Sequence, residues 1–186
     1  MRILVTGTTG GIGAAVKAAA LTHGHEVLEL NRGGFEAPLR AVAPLSAFVF
    51  CTGVCPVRPV ALTADELLME TLRVNCGLFL RVMRQIVAAK IYDRSGMRAL
   101  AVSSVSATEG WPGGAAYCAS KGALSAMCRA MDAELRAKGI SVRAVEPRHV
   151  KTRMFDACAG RMGVPASEAR DPAELAEEIL AEVARA

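Results

Sequence analysis

A chain of 186 residues is long enough for one domain with a sizeable buried core. Hydrophobic residues make up 52% of it, which argues against disorder. Twenty-two basic against 18 acidic residues leave a net charge of +4, and no run of five like charges occurs, so neither nucleic acid nor an anionic membrane is expected as a partner.

Residues 2–5 read as a strand, following Met1 too closely for the apolar region of a signal peptide. Residues 13–22 read as an Ala-rich helix ended by Gly24, and 26–30 as a second strand. A short polar crossover containing proline follows over 31–46, then a third strand over 47–51. The most apolar stretch, 41–57, is broken by Pro44, Gly53 and Pro56, which makes it a poor membrane span. Residues 65–90 form a long expected helix, because Leu68, Leu72, Phe79, Val82 and Ile86 recur at helical spacing. A fourth strand is expected over 97–103, a second long helix over 115–138 stopped by Gly139, and a fifth strand over 140–145. Residues 172–185 close the chain as a helix with Asp171 as N-cap and Pro172 in its first turn. Between them, 151–170 reads as irregular and long enough to be a lid, with 155–169 expected to be mobile without ligand.

Strand and helix signals alternate throughout. That pattern predicts an α/β Rossmann-like fold, a doubly wound parallel sheet with helices on both faces, built as a single domain over 1–186. Ligands of such sheets bind at the carboxyl ends of the strands, where strand order reverses. The six cysteines mostly fall within apolar patterns and read as buried, reduced thiols of a cytoplasmic protein. Cys51 and Cys55 have a partly metal-like spacing, but no second pair follows, so no metal site is expected.

The first strand runs into Thr6-Gly7-Thr8-Thr9-Gly10-Gly11-Ile12-Gly13. Glycines at 7, 11 and 13 let the backbone turn sharply and approach a pyrophosphate, which the following helix N-terminus then attracts. After the second strand come Asn31 and Arg32, with no acid at the strand's end. An acid there would hold a ribose 2′-hydroxyl, whereas an arginine accommodates a 2′-phosphate. NADP(H) is therefore expected over NAD(H).

Tyr117 and Lys121 are four residues apart and share one helix face. Ser104 lies 13 residues earlier, at the expected carboxyl edge of the fourth strand, with Ser103 as a competitor. Asn75 interrupts the apolar stripe of the first long helix, and a buried amide there needs partners.

With these motifs in this order, the chain resembles the short-chain dehydrogenase/reductase family over residues 2–154. The resemblance implies a carbonyl reductase or alcohol dehydrogenase. In it Tyr117 is the general acid of reduction and the base of oxidation, and Lys121 lowers the pKa of Tyr117 and binds the nicotinamide ribose. Ser104 bonds the substrate oxygen, and Asn75 helps hold a water chain that resupplies protons. Cofactor contacts fall to Gly7, Thr8, Gly11, Ile12, Gly13, Asn31, Arg32, Cys51, Thr52 and Gly53. They continue with Tyr117, Lys121, Pro147, Val150 and Thr152, the last bonding the carboxamide.

Three departures from the family stand out. Residues 31–46 are too short for its usual helix–strand–helix, leaving five strands ordered 2-1-3-4-5. Its asparagine-alanine-glycine is here Cys51-Thr52-Gly53, and its Pro-Gly is Pro147-Arg148. It also carries a last strand that is absent here, which makes a homodimer through the two long helices the expected assembly. Arg148, His149, Lys151, Arg153 and Arg161 give the lid a basic character that suits either an anionic substrate or simple solvation. Two other functions share these features: a non-catalytic NADP(H)-sensing protein, and a nucleotide-retaining epimerase or dehydratase.

Overall fold

In the computed structural model, which describes residues 1–35, 39 and 44–185, each strand–helix alternation read from the sequence becomes a layer. Five parallel strands are present among the described residues: β1 (Arg2–Thr6), β2 (Glu26–Leu30), β3 (Ala47–Phe50), β4 (Met97–Val102) and β5 (Ile140–Val145). Their order is β2-β1-β3-β4-β5, the order expected from the sequence. The chain reverses direction across the sheet between β1 and β3, so the carboxyl ends of those strands open a crevice. The middle of the shortened crossover falls on residues 36–38 and 40–43, outside the described residues.

Alternation along the strands sorts the core onto two faces. In β3 all four residues are buried. Phe48 and Phe50 pack with Phe79, Val82, Met83, Ile86, Leu124 and Cys128. Ala47 and Val49 face the opposite way, with Val16, Ala20, Leu175, Ile179 and Val183. One face is thus covered by α1 (Gly11–Thr22) and α6 (Pro172–Ala184). The other is covered by α2 (Asp65–Leu72), α3 (Leu78–Ala89) and α4 (Ala115–Leu135). Asp171 caps α6 by accepting from the Ala173 N–H at 2.7 Å, and Gly139 stops the α4 segment in the left-handed region, φ 76°.

Two expectations change. The long helix over 65–90 is not continuous: a π turn, Arg73–Gly77, separates α2 from α3. One wide turn preserves the apolar stripe, so the sequence pattern hides it. Such insertions frequently mark functional sites, and this one holds Asn75. The irregular lid of 151–170 is also largely helical, as α5 (Arg153–Met162). Thr152 caps α5, accepting from the Phe155 N–H at 3.2 Å, and Gly163 ends it at φ 68°. Phe155 and Cys158 are buried, so this stretch is anchored where a low density of contacts was expected. Its two ends are clipped together, with Lys151 N–H donating to the Arg170 carbonyl (2.9 Å) and Arg170 N–H to the His149 carbonyl (3.0 Å). No helix among the described residues is long and apolar enough to cross a membrane.

Phe79 is fully buried, with ring centroids 5.7 Å from Phe48 and 5.5 Å from Phe50. Phe79→Ala should therefore destabilise the fold by about 3–5 kcal/mol. A urea titration would check this, and a loss below about 1 kcal/mol would show that the aromatic cluster is not central to the core.

Candidate active site

The glycine loop runs from β1 into α1, and its geometry excludes side chains. A Cβ at Gly13 would come within 2.3 Å of the Gly7 carbonyl oxygen. Gly7 itself is left-handed, φ 69°, and a Cβ there would meet the Cys51 backbone at 3.0 Å. Thr6 ties the floor of the crevice together. Its Oγ1 accepts from the N–H groups of Cys51 (3.0 Å) and Thr52 (3.3 Å), turning the chain out of β3 one residue earlier than expected.

Gly7, Gly11, Ile12, Asn31, Arg32, Cys51, Thr52, Gly53, Tyr117, Lys121 and Thr152 line one cleft of about 330 Å³. Thr8, Gly13, Pro147 and Val150 do not line it. Thr8 instead supports the loop from beside β2: its N–H donates to Asn31 Oδ1 at 3.0 Å, and its Oγ1 accepts from Asn31 Nδ2 at 2.8 Å. Its hydroxyl donates to the Glu29 carboxylate, which also takes Lys17 Nζ at 2.5 Å. An acid therefore does stand beside the phosphate loop, although the strand's end carries none. The Lys17 ammonium first, and the Thr8 hydroxyl next, hold the Glu29 carboxyl below its usual value. Thr52 Oγ1 is buried in this cleft with no partner, a polar atom shaped for a ligand that can bond it. The glycine cradle and this orphaned hydroxyl fit a dinucleotide.

Tyr117 also lines a second cavity of about 230 Å³, with Ser104, Trp111, Pro147, Val150, Phe155 and Cys158. Ser104, at the carboxyl end of β4, accepts from the Ser106 N–H at 3.1 Å and lines the same cavity as Tyr117. Ser103 points the other way, donating to the Lys121 carbonyl at 3.0 Å and accepting from Ser125 at 2.9 Å. Ser103 lines both cavities, but its hydroxyl is taken up in these bonds, whereas Ser104 lines the cavity that holds Tyr117.

Asn75 is fully buried and fully engaged. Its Oδ1 accepts from the Val54 N–H at 2.7 Å. Its Nδ2 donates to the Val54 carbonyl at 2.9 Å and to Ser120 Oγ at 2.8 Å. Ser120 in turn donates to the Tyr117 carbonyl at 2.7 Å. Both amide N–H bonds of Asn75 are thus taken up inside the protein.

Lys121 is 5% exposed and donates from Nζ to the Val102 carbonyl at 2.7 Å. Its ammonium lies 5.7 Å from the Tyr117 ring centroid. Burial pushes Lys121 down to about 8. The resemblance implies that Lys121 lowers the Tyr117 phenol, but here burial dominates and pushes the phenol up, with only the Ser104 hydrogen bond acting against it. Tyr117 accordingly rests protonated.

The basic lid residues do not form one patch. Arg148 pairs with Glu109 at 3.0 Å, His149 packs its ring on Phe155, and Arg153 reaches the nucleotide cleft, where a Cβ on Gly10 would lie 3.1 Å from its guanidinium. The sequence reading missed Thr6, Ser120 and Glu29. Ser120 sits between Tyr117 and Lys121 at a spacing that shares their face, a signal available in the sequence.

Comparison with known proteins follows the same lines. The short chain dehydrogenase family pattern matches residues 34–161. The 3-oxoacyl-[acyl-carrier-protein] reductase of Rickettsia felis is 26% identical over 181 residues, covering 82% of this chain and 74% of that protein. Carbonyl reductase [NADPH] 2 of Sus scrofa is 29% identical, covering 83% and 73%. A short-chain type dehydrogenase/reductase of Picea abies is 31% identical, covering 88% and 59%. The crystal structure of actinorhodin polyketide ketoreductase with NADPH shares the fold, with TM-score 0.84, 23% identity and coverage of 98% of this chain and 89% of that one.

Lys121 generates a pH signature. Below about pH 8 it is charged in both folded and unfolded chains, so its full burial cost is present. Between about 8 and 10.5 the unfolded chain holds the extra proton, and stability rises with pH by up to about 3 kcal/mol. Cys51 and Cys128, both pushed up to about 12 by burial, act oppositely above about 9. Subtracting the unfolding free energy of Lys121→Met from that of the wild type cancels the thiols. The difference should shift in favour of the wild type across this range, and a flat difference would contradict a buried, depressed lysine.

Proposed function

The chain belongs to the short-chain dehydrogenase family and is an NAD(P)-dependent oxidoreductase, and from that premise we propose that it interconverts a small, largely apolar carbonyl compound and its secondary alcohol with NADP(H). The observation that carries this reading is the position of Tyr117, which lines both the nucleotide cleft and the second cavity, the latter together with Ser104. A group at that junction can protonate a substrate oxygen held in the cavity.

When bound, NADPH supplies the hydride. The chain's own residues do the rest. Ser104 orients the carbonyl oxygen, and Tyr117, resting protonated, donates its phenolic proton to the oxygen as negative charge develops there. Lys121 lines the nucleotide cleft and would hold the cofactor's ribose there, carrying its proton near neutral pH. Asn75 fixes the Val54 segment and, through Ser120, the backbone carbonyl of Tyr117. Trp111 is held by its Nε1–H on Ser106 Oγ at 3.2 Å and forms a wall of the cavity with Phe155. Water exclusion falls to α5, which carries Phe155 and Met162 over the cavity and Arg153 toward the phosphate loop. Exposed Met69 and Leu80, 63% and 46% accessible on α2 and α3, support a homodimer packed through the two long helices. Six free cysteines support a reducing, cytoplasmic setting.

A panel of apolar ketones and aldehydes, followed by NADPH absorbance, tests this reading. Steady cofactor consumption with at least one carbonyl is expected. Tight binding without consumption would make the protein a sensor, and turnover of a sugar nucleotide with no net consumption would make it an epimerase or dehydratase. For the cofactor, exposed Arg32 lines the cleft, while Glu29 is neutralised by Lys17. A charge-assisted phosphate contact of about 1.5–3 kcal/mol gives NADPH about a 10- to 150-fold preference over NADH. Fluorescence titration should show that gap narrowing in Arg32→Ala, whereas equal affinities in the wild type would overturn the preference.

A further inference from the structure

The thiols of Cys55 and Cys158 lie 3.3 Å apart, sulfur to sulfur, though the residues are 103 positions apart in the chain. Cys55 belongs to the extended segment after β3, and Cys158 to the inward face of α5, where it is 3% exposed. Both line the cavity that holds Tyr117 and Ser104, so a small molecule that enters the cavity reaches them. None of the roles derived above uses either sulfur. Other thiols are engaged differently: Cys76 donates to the Leu72 carbonyl and Cys118 to the Glu109 carbonyl.

A disulfide requires a sulfur separation of about 2.05 Å, so these two need to approach by only about 1.2 Å. Side-chain rotation is on that scale, and the resulting bond would join the wall of the site to the helix that covers it. We propose that Cys55 and Cys158 form a two-electron oxidation site, in which a peroxide converts the pair to a disulfide that latches α5 to the segment after β3. The atoms balance as follows. One thiolate attacks an oxygen of hydrogen peroxide, breaking the O–O bond to give a sulfenic acid and hydroxide, which takes up the proton released by that thiol. The second sulfur then attacks the sulfenic sulfur, forming the S–S bond and expelling the hydroxyl group as water with the second thiol's proton. Two thiols are oxidised, and one peroxide is reduced to two waters. Burial and the neighbouring Cys158 sulfur push the Cys55 thiol up, so a first attack from Cys55 is slow. A latched α5 can no longer lift from the cavity, and substrate access closes.

The chemistry of the latch stands on the sulfur geometry alone, and only its effect on turnover rests on the reductase reading. The full chain, reduced and then exposed to hydrogen peroxide, is alkylated, digested and mapped by mass spectrometry. A linked pair of peptides containing Cys55 and Cys158, two hydrogens lighter and released by dithiothreitol, is expected. Deuterium exchange of the Arg153–Met162 amides should slow by about 10-fold in the oxidised protein, and carbonyl turnover should fall and recover with dithiothreitol. Cys158→Ser should form no link, and its α5 exchange should ignore peroxide. Absence of the linked peptides, unchanged α5 exchange in the linked protein, or a Cys158→Ser response equal to the wild type would each overturn the proposal. If the reduced protein turns over no carbonyl, the reductase reading fails, while linkage and exchange still decide the latch.

Discussion

The carboxamide of Asn75 ties together three parts of the chain: the π turn, the segment after β3 and α4. It sits in a π turn and clamps both the N–H and the carbonyl of Val54, and its second N–H reaches Ser120 on α4. An unpaired amide at a fully buried position would be destabilising by about 1–3 kcal/mol, so the geometry that satisfies it is strongly selected. That geometry places the segment after β3 against the helix that carries Tyr117 and Lys121. Thr6 sets the floor of the cleft through the Cys51 and Thr52 N–H groups, and Asn75 adds the link, through Ser120, to the backbone of Tyr117. The extra residue of the π turn is what lets a polar side chain at this point turn inward without disturbing the apolar stripe on either side.

On the same helix, Lys121 is a charge taken out of water, with the Val102 carbonyl as its hydrogen-bond partner. Such a burial weakens the ligand-free fold and is the kind of local cost that sites accept for function. A negatively charged or polar ligand in the cleft would offset it. The site is therefore incomplete electrostatically until the cleft is filled, which agrees with an unpartnered Thr52 hydroxyl in the same place.

Much of this was legible in the sequence because the signals are local. The parallel sheet with helices on both faces follows from alternating strand and helix patterns, its strand order from the family resemblance, and the Tyr117–Lys121 spacing fixes a shared face. The resemblance to a known family added the roles of Ser104 and Asn75, which spacing alone leaves open. What stayed hidden has physical reasons. The π turn keeps the apolar period of an unbroken helix. Helix α5 is short, and its inward residues Phe155 and Cys158 give too weak a period to show against Gly160, Gly163 and Pro165. Glu29, one residue before the end of β2, bonds Thr8 in the phosphate loop and Lys17 on α1, a contact between separate elements that no local pattern reveals. The Cys55–Cys158 contact joins residues that no local pattern relates.

The proposed reaction turns on Tyr117, a phenol that lines both cavities and is proposed to protonate a carbonyl oxygen. Replacing Tyr117 with Phe keeps the ring and its packing near Trp111, at 6.4 Å between centroids, and removes only the transferable proton. Steady-state kinetics on whichever carbonyl the wild type reduces, paired with NADPH titration of the same variant, measures that change directly. The account predicts a fall in kcat of at least about 100-fold with cofactor binding retained. Turnover close to the wild type in Tyr117→Phe would contradict it.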